Sequence, residues 1–265
     1  MSLTTLTTPT PVDAGYRLDV PAGWRQGRGA YGGFTIASLL RAIEHRVGDP
    51  GRTLRSLTAE LLAPVASGPA TVHVHVLRAG SSVTTARAEL EQDGEIRAHV
   101  VAMLARSRGG APLAWLTLQP PVAPPWRDVP AVPPAAAGGP FPEFAQHFEY
   151  RLVEGTPFTG KAAHTVGWVR ARDPGPARDA AYLAALADVW WPAPLVALAA
   201  PRPIATIAFT LDVLGDLAGV DADAPLLYRG TAPVCSDGYF LETRELWTPD
   251  GRLVAYNHQT FAVIA

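Results

Sequence analysis

The 265-residue chain contains a single cysteine, Cys235, so neither a disulfide framework nor a cysteine-based zinc site can be built from it. It has no excess of either charge: 22 Lys and Arg stand against 24 Asp and Glu, a formal net charge of -2. A nucleic-acid binder normally carries a basic domain or stripe, so no nucleic-acid partner is expected. No run of about 18 apolar residues occurs, which excludes a helical membrane span. Residues 1–15 are rich in Thr and Pro and lack both a basic start and an apolar stretch. No signal peptide is therefore expected, and a soluble, cytoplasmic protein is predicted. A G-x-S-x-G nucleophile elbow is also missing, which removes the usual serine-hydrolase route.

Proline, by contrast, is abundant at 26 residues, and ten of these fall between Pro112 and Pro142. Proline lacks a backbone donor and restricts the residue before it, so neither a helix nor a central strand can run through this stretch. It reads as a semi-extended linker, with Trp115, Trp126 and Phe141 holding it against the protein surface.

The segments on either side follow one plan. In the first, a short strand at Tyr16–Val20 precedes a glycine-rich stretch. Phe34, Ile36, Leu39, Leu40, Ile43 and Val47 then recur at helical spacing. Strand-like runs follow at Leu54–Leu62, Ala70–Leu77, Val83–Leu90 and Ile96–Leu104, with Asp93-Gly94 predicting a tight hairpin. In the second, strands are predicted at Phe144–Val153 and Thr165–Val169, and a helix-rich segment at Ala177–Leu198 is broken at Pro192. Further strands are predicted at Ile204–Leu211, Leu226–Thr231, Gly238–Trp247 and Leu253–Ile264, the last after Asp250-Gly251. A long apolar helix needs covering, and a curved antiparallel sheet can wrap it. The expected fold is therefore α+β, a double hotdog of two curved antiparallel sheets, each wrapped around a long helix. The expected domains are an N-terminal hotdog over 15–108, a Pro/Ala-rich linker over 109–142 and a C-terminal hotdog over 143–265.

Several motifs carry little chemistry. Gly27-Arg28-Gly29-Ala30-Tyr31-Gly32 matches G-x-G-x-x-G, but no buried strand precedes it and no βαβ unit follows, so no dinucleotide cofactor is expected. His73 and His75 share a strand face but lack a third ligand, so no metal is expected. Cys235 and His258 show no sequence proximity that would make them a thiol pair. His99, His147 and His164 read as surface or hydrogen-bonded residues. A hotdog dehydratase would place a His a few residues beyond an Asp on the helix, and Asp188 is followed by Val189-Trp190-Trp191-Pro192-Ala193. Three polar residues remain in apolar settings: Asp188, Thr206 and Gln259. Singly, they would be a helix cap, an ordinary strand residue and a solvent-facing amide.

Together they are more telling. Ile204-Ala205-Thr206-Ile207, the upstream Asp188, and Asp250-Gly251-Arg252-Leu253-Val254-Ala255 followed by Gln259 resemble the acyl-CoA thioesterase II family. So does Gly27-Arg28-Gly29 followed by Gly32 and a helix. The resemblance covers nearly the whole chain apart from the linker. It implies a double hotdog in which Asp188, Thr206 and Gln259 hold the water that hydrolyses an acyl-CoA or other acyl thioester. The aromatic Trp190-Trp191, and Ala208-Phe209 where family members often carry polar residues, mark a divergent member.

In that reading Asp188 accepts the water's proton, Thr206 and Gln259 orient the water, and backbone N–H groups within Gly29–Gly33 hold the oxyanion. Gly32, Gly33, Trp190 and Trp191 are the expected substrate-binding residues, and Arg28, Arg106 and Arg108 the candidates for CoA. Aligning Asp93-Gly94 on Asp250-Gly251 sets Ala102 against Gln259 and Val101 against His258. One active centre per chain is therefore expected, mainly from the C-terminal hotdog, with the N-terminal half lining the acyl pocket. The alternative is a non-hydrolytic acyl-thioester binder of the same fold, with Trp190 and Trp191 filling part of the pocket. A homodimer is expected.

Overall fold

The structure, a computed structural model, describes residues 1–109, 115–133 and 141–264. Helix α1 (Leu3–Leu6) and strands β1 (Thr10–Val12) and β2 (Gly15–Val20) come first, then a small hairpin of β3 (Arg25–Gln26) and β4 (Gly29–Ala30). Helix α2 (Gly32–Val47) follows. Gly48 stops it in the left-handed conformation (φ 64°), and its amide donates to the Glu44 carbonyl. Strands β5 (Thr53–Leu61), β6 (Gly68–Ala79), β7 (Val83–Gln92) and β8 (Glu95–Ala105) complete the first half.

After the linker come β9 (Phe148–Glu154), β10 (His164–Ala171), helices α3 (Ala180–Asp188) and α4 (Pro194–Ala197), and β11 (Ile204–Val213). The second half closes with β12 (Leu226–Ser236), β13 (Tyr239–Trp247) and β14 (Leu253–Val263). Asp179 starts α3, its carboxylate accepting from the Tyr182 amide at 3.1 Å.

Instead of the two sheets expected, twelve strands form one antiparallel sheet in the order β1-β2-β6-β7-β8-β5-β11-β14-β13-β12-β10-β9. The halves join where β5 pairs with β11, Thr58 lying opposite Thr210. Each half has the same internal order, since β2-β6-β7-β8-β5 recurs as β10-β12-β13-β14-β11. Two free edges of like sequence pattern pair with each other, which satisfies both rows of backbone groups. The expectation of a long helix in each half also needs correcting. α2 has 16 residues, whereas α3 has only 9, because the chain turns at Trp190–Pro192. α2 packs on β6, β7 and β8, α3 packs on β10, β11, β13 and β14, and the helices pack on each other.

Turn chemistry differs from the expectation at one point. Asp93 and Gly94 both have positive φ (54° and 79°), as a two-residue hairpin requires. At Asp250-Gly251 only the glycine does, and the loop spans Thr248–Arg252, with the Thr248 amide donating to the Arg252 carbonyl. A tight Asp-Gly turn occurs in the second half one hairpin earlier, at Asp237-Gly238 (52° and 75°) between β12 and β13, and β12 runs on to Ser236 instead of ending at Thr231.

Of the linker, residues 110–114 and 134–140 lie outside the described residues. The described part is strapped to the second half of the sheet. Trp168 Nε1 donates to the Pro124 carbonyl, and Arg151 Nη1 donates to the carbonyls of Trp126 and Val129. Val129 joins Val166, Trp168, Leu227, Trp247 and Leu253 in a small apolar cluster. Leu226 and Tyr228 enter the main core while Leu227 enters this cluster, so the two clusters occupy opposite faces of β12. Trp126 packs against the cluster, whereas Trp115 is exposed.

Candidate active site

Asp188 is the last residue of α3 and is 6% exposed. A carboxylate at a helix C-terminus is unfavourable, and here a second helix compensates. Asp188 Oδ2 accepts the Gly33 amide at 2.7 Å, in the first turn of α2, whose own N-cap residue Tyr31 makes no side-chain cap. The chain end of α3 is capped in turn by Arg244, whose Nη1 donates to the Ala187 carbonyl at 3.0 Å and lies 3.6 Å from Asp188 Oδ1. Each helix end thus takes its compensating charge from elsewhere in the fold.

Glycine at 32 and 33 is what allows this approach. A Cβ on Gly32 would come within 2.8 Å of Asp188 Oδ2, and one on Gly33 within 2.9 Å of the Ala185 carbonyl.

Gln259 is fully buried on β14 and lies between the other two predicted residues. Its Nε2 donates to Asp188 Oδ1 at 3.2 Å and to Asn257 Oδ1 at 2.9 Å, and its Oε1 accepts from Thr206 Oγ1 at 3.1 Å. A bulge brings Thr206 into reach. β14 pairs Phe261 with Thr206 but Thr260 with Ala208, leaving Ile207 as an extra residue. Phe209 and Leu211 face the core, so an unbulged β11 would turn Thr206 to the opposite face. The extra residue reverses that parity and aims its hydroxyl at Gln259.

Charges missed from the sequence support this chain. On β13, Glu242 and Arg244 share a face with Phe240 and Leu246 and are 0% and 1% exposed. Arg244 Nε donates to Glu242 Oε1 at 2.8 Å, the Tyr228 hydroxyl donates to the same oxygen at 3.2 Å, and the Ala193 amide donates to Oε2 at 3.0 Å. Asn257 Nδ2 donates to the Thr210 carbonyl. The available signal was phase: two charges at the apolar positions of an alternating strand. Burial raises the Asp188 pKa above the usual carboxylate range, and the Arg244 guanidinium and the hydrogen bonds from Gly33 and Gln259 oppose that rise.

Among the described residues, the indole N–H groups of Trp190 and Trp191 make no hydrogen bond to these polar groups. Both tryptophans line a cavity of about 130 Å³ that begins at Val189, the residue after Asp188. Among the described residues, Gln26 is the one that lines it from the first half. Trp190 stacks on Tyr228 at 5.1 Å and reaches over Gly167, where a Cβ would lie 2.3 Å from its ring. Its indole N–H has no acceptor among the described residues.

Of the arginines considered for CoA, Arg28 is exposed on the turn that leads into α2. Arg106 is paired with Asp49 at 2.6 Å, and with Arg108 it lies beyond the other end of α2, about 24 Å along its axis. His73 is 3.6 Å from Glu91, and no group of three potential metal ligands occurs among the described residues. Cys235 is exposed, with no hydrogen bond to His258 among the described residues.

Residues 20–107 match the family model for the acyl-CoA thioesterase N-terminal domain, and residues 121–263 match that for the C-terminal domain. Among solved structures, the chain is similar to a conserved protein of unknown function with a hot dog fold from Alicyclobacillus acidocaldarius. The identity is 29% and the TM-score 0.87, over 99% of this chain and 98% of that one. It is also similar in fold to the acyl-CoA thioesterase II TesB2 from Mycobacterium marinum, with 24% identity, a TM-score of 0.79 and coverage of 99% and 98%. The dehydratase domain of RzxB from Pseudomonas fluorescens has 15% identity and a TM-score of 0.59, over 98% of this chain and 99% of that one. Fold alone therefore does not name the reaction. No curated protein matches the chain by sequence. Both halves, however, match one family's paired domains, in order and across most of their length, and the chain belongs to the acyl-CoA thioesterase family.

Proposed function

We propose that the protein hydrolyses acyl-CoA thioesters to free acid and CoA on a double-hotdog scaffold, with the second repeat carrying the site. The observation that supports this best is the buried Thr206–Gln259–Asp188 chain, with hydrogen bonds of 3.1 and 3.2 Å, at the N-terminus of α2. The Thr206 hydroxyl proton is committed to Gln259, so its lone pairs are left to accept from a water. That water gives a proton to Asp188 as its oxygen attacks the thioester carbon. The tetrahedral intermediate then expels the CoA sulfur, which recovers the proton from Asp188.

The oxyanion needs a donor. Within residues 29–33, the amides of Ala30, Tyr31 and Gly33 are taken by Val65, Trp24 and Asp188. Gly32 keeps an amide with no acceptor among the described residues, at the positive end of α2. Arg28, on the turn just before, is the proposed contact for CoA phosphate.

Asp188→Asn tests the reading. It keeps an acceptor for the Gly33 amide, and thiol release from a medium-chain acyl-CoA should fall by about 10²-fold or more. Undiminished release would sink the assignment. A second reading, non-hydrolytic binding of an acyl thioester, draws on the fact that both Asp188 oxygens already have protein donors. Saturable binding of acyl-CoA without release of free thiol would favour it.

A further inference from the structure

The cavity beside Asp188 has a wall of six aromatic rings: Phe141, Phe144, Phe148, Tyr150, Trp190 and Trp191. We propose that it receives the acyl group of the substrate, and that the group it fits is an aromatic ring on a short tether, as in a phenylacetyl thioester, not a long linear chain. This rests on the thioesterase reading and adds the substrate class to it.

Position is the first argument. Val189 lines the cavity and directly follows Asp188, and the Tyr150 hydroxyl in the wall donates to the Val189 carbonyl at 3.1 Å. A group seated there borders the residue that follows the proposed base in the chain.

Size is the second. The cavity holds about 130 Å³. An apolar cavity of about 150 Å³ takes up benzene, so one ring is about the capacity. A chain of ten or more carbons would extend beyond it and also lose several freely rotating bonds on binding.

Wall chemistry is the third. Tyr150 hydroxyl and Trp191 N–H are already committed to the carbonyls of Val189 and Gly155, so these two residues present ring faces and edges to the cavity. Ring edges and faces pack best against another ring. The wall is also backed by further rings. Phe144 stacks on Tyr31 at 4.3 Å and 11°, and Trp190 stacks on Tyr228 at 5.1 Å and 14°, so two of the wall rings are held by packing on the core.

The experiment compares phenylacetyl-CoA with decanoyl-CoA in two assays on the intact protein: kcat/KM for thiol release, and Kd by calorimetry on the Asp188→Asn protein. Phenylacetyl-CoA should be favoured by about tenfold or more in both. Ala145→Phe, which fills the cavity from residues 143–147, should abolish that preference, chiefly through KM. Trp191→Leu, which widens it, should move the preference toward decanoyl-CoA, and it keeps the test decisive if Ala145→Phe does not fold. Equal or better handling of decanoyl-CoA by the unaltered protein, or a preference that neither variant moves, overturns the proposal. If no thioester yields free thiol, the hydrolase reading fails, while the Kd comparison still decides what the cavity holds.

Discussion

The two halves share a strand order but fill the space under their helices in opposite ways. On β7 and β8 of the first half, the core-facing positions include Ala86, Ala88, Ala98, Val100 and Ala102. The helix above them, α2, supplies the bulk with Phe34, Ile36, Leu39, Leu40 and Ile43. On β13 and β14 the residues in the same register are Glu242, Arg244, Ala255, Asn257 and Gln259, and the helix above them, α3, is rich in alanine. Small strand residues accept a large helix face, and large strand residues demand a small one, because interiors pack to near-crystalline density. At these positions the first half has apolar packing alone. The second buries an arginine, a glutamate and an aspartate, which is costly unless every partner is in place.

The sharpest way to break this comparison is to unpair the second half. Arg244→Met leaves Glu242 and Asp188 as buried charges without their cation and should cost about 3–5 kcal/mol in urea unfolding. The matched first-half change, Ala88→Met, only overpacks an apolar contact and should cost about 1–3 kcal/mol. Equal costs would mean that the buried charges are not a coupled unit.

Exchanging the proposed water-holding position comes next. Gln259→Ala should lower thioester hydrolysis by about 10²-fold. Ala102→Gln buries an amide without partners and should cost about 1–3 kcal/mol of stability with kcat unchanged. The reverse pattern would place the active centre in the first half.

A pH–rate profile gives a smaller but more diagnostic effect. Burial raises the Asp188 pKa, and as the proposed base Asp188 must be ionised, so kcat/KM should fall on acidification at a pH above the ordinary carboxylate range. Arg244→Met removes the cation that opposes the rise, so the acid limb should move further up. A limb that stays in place would separate Arg244 from the base.

The smallest effect belongs to the first half. Glu44 on α2 has its pKa raised from 4.5 to about 7, chiefly by burial and then by Asp179, with Arg41 opposing. Its folded pKa lies above the unfolded one, so the stability it contributes is present at low pH and is lost as pH rises through about 7. Glu44→Gln should therefore raise the thermal midpoint at pH 8 and leave it little changed at pH 4. An identical shift at both pH values would dissociate the effect from titration.

Much of this was legible in the chain because periodicity is local. Phe34 to Val47 repeat at helical spacing, the first-half strands alternate, and Asp93-Gly94 carries its own turn geometry, so those elements were assigned to within a few residues. The Asp188, Thr206 and Gln259 set was legible through its resemblance to a family. Arg244 and Asn257 were not singled out, because a charge or amide on a strand normally points to solvent, and only the register of β13 and β14 shows that these point inward. Asp237-Gly238 and Asp250-Gly251 have the same turn composition. The first joins β12 to β13 in a two-residue turn and the second lies in the longer Thr248–Arg252 loop between β13 and β14, a difference set by where the strand pairing ends.

The sequence by itself determined two copies of one strand–helix–sheet plan, a proline-rich passage between them, and polar residues in the second copy where the first has Ala102. Tertiary structure decided that the two sheets are one, since edge pairing between β5 and β11 depends on backbone donors and acceptors that carry no residue signature. It also decided that Thr206 faces inward, because one extra residue at Ile207 reverses a strand's parity and leaves no mark in composition. Finally it decided that Asp188 caps α2 while Arg244 caps α3, because those groups meet only when two helices far apart in the chain lie side by side and antiparallel, with α3 over β13.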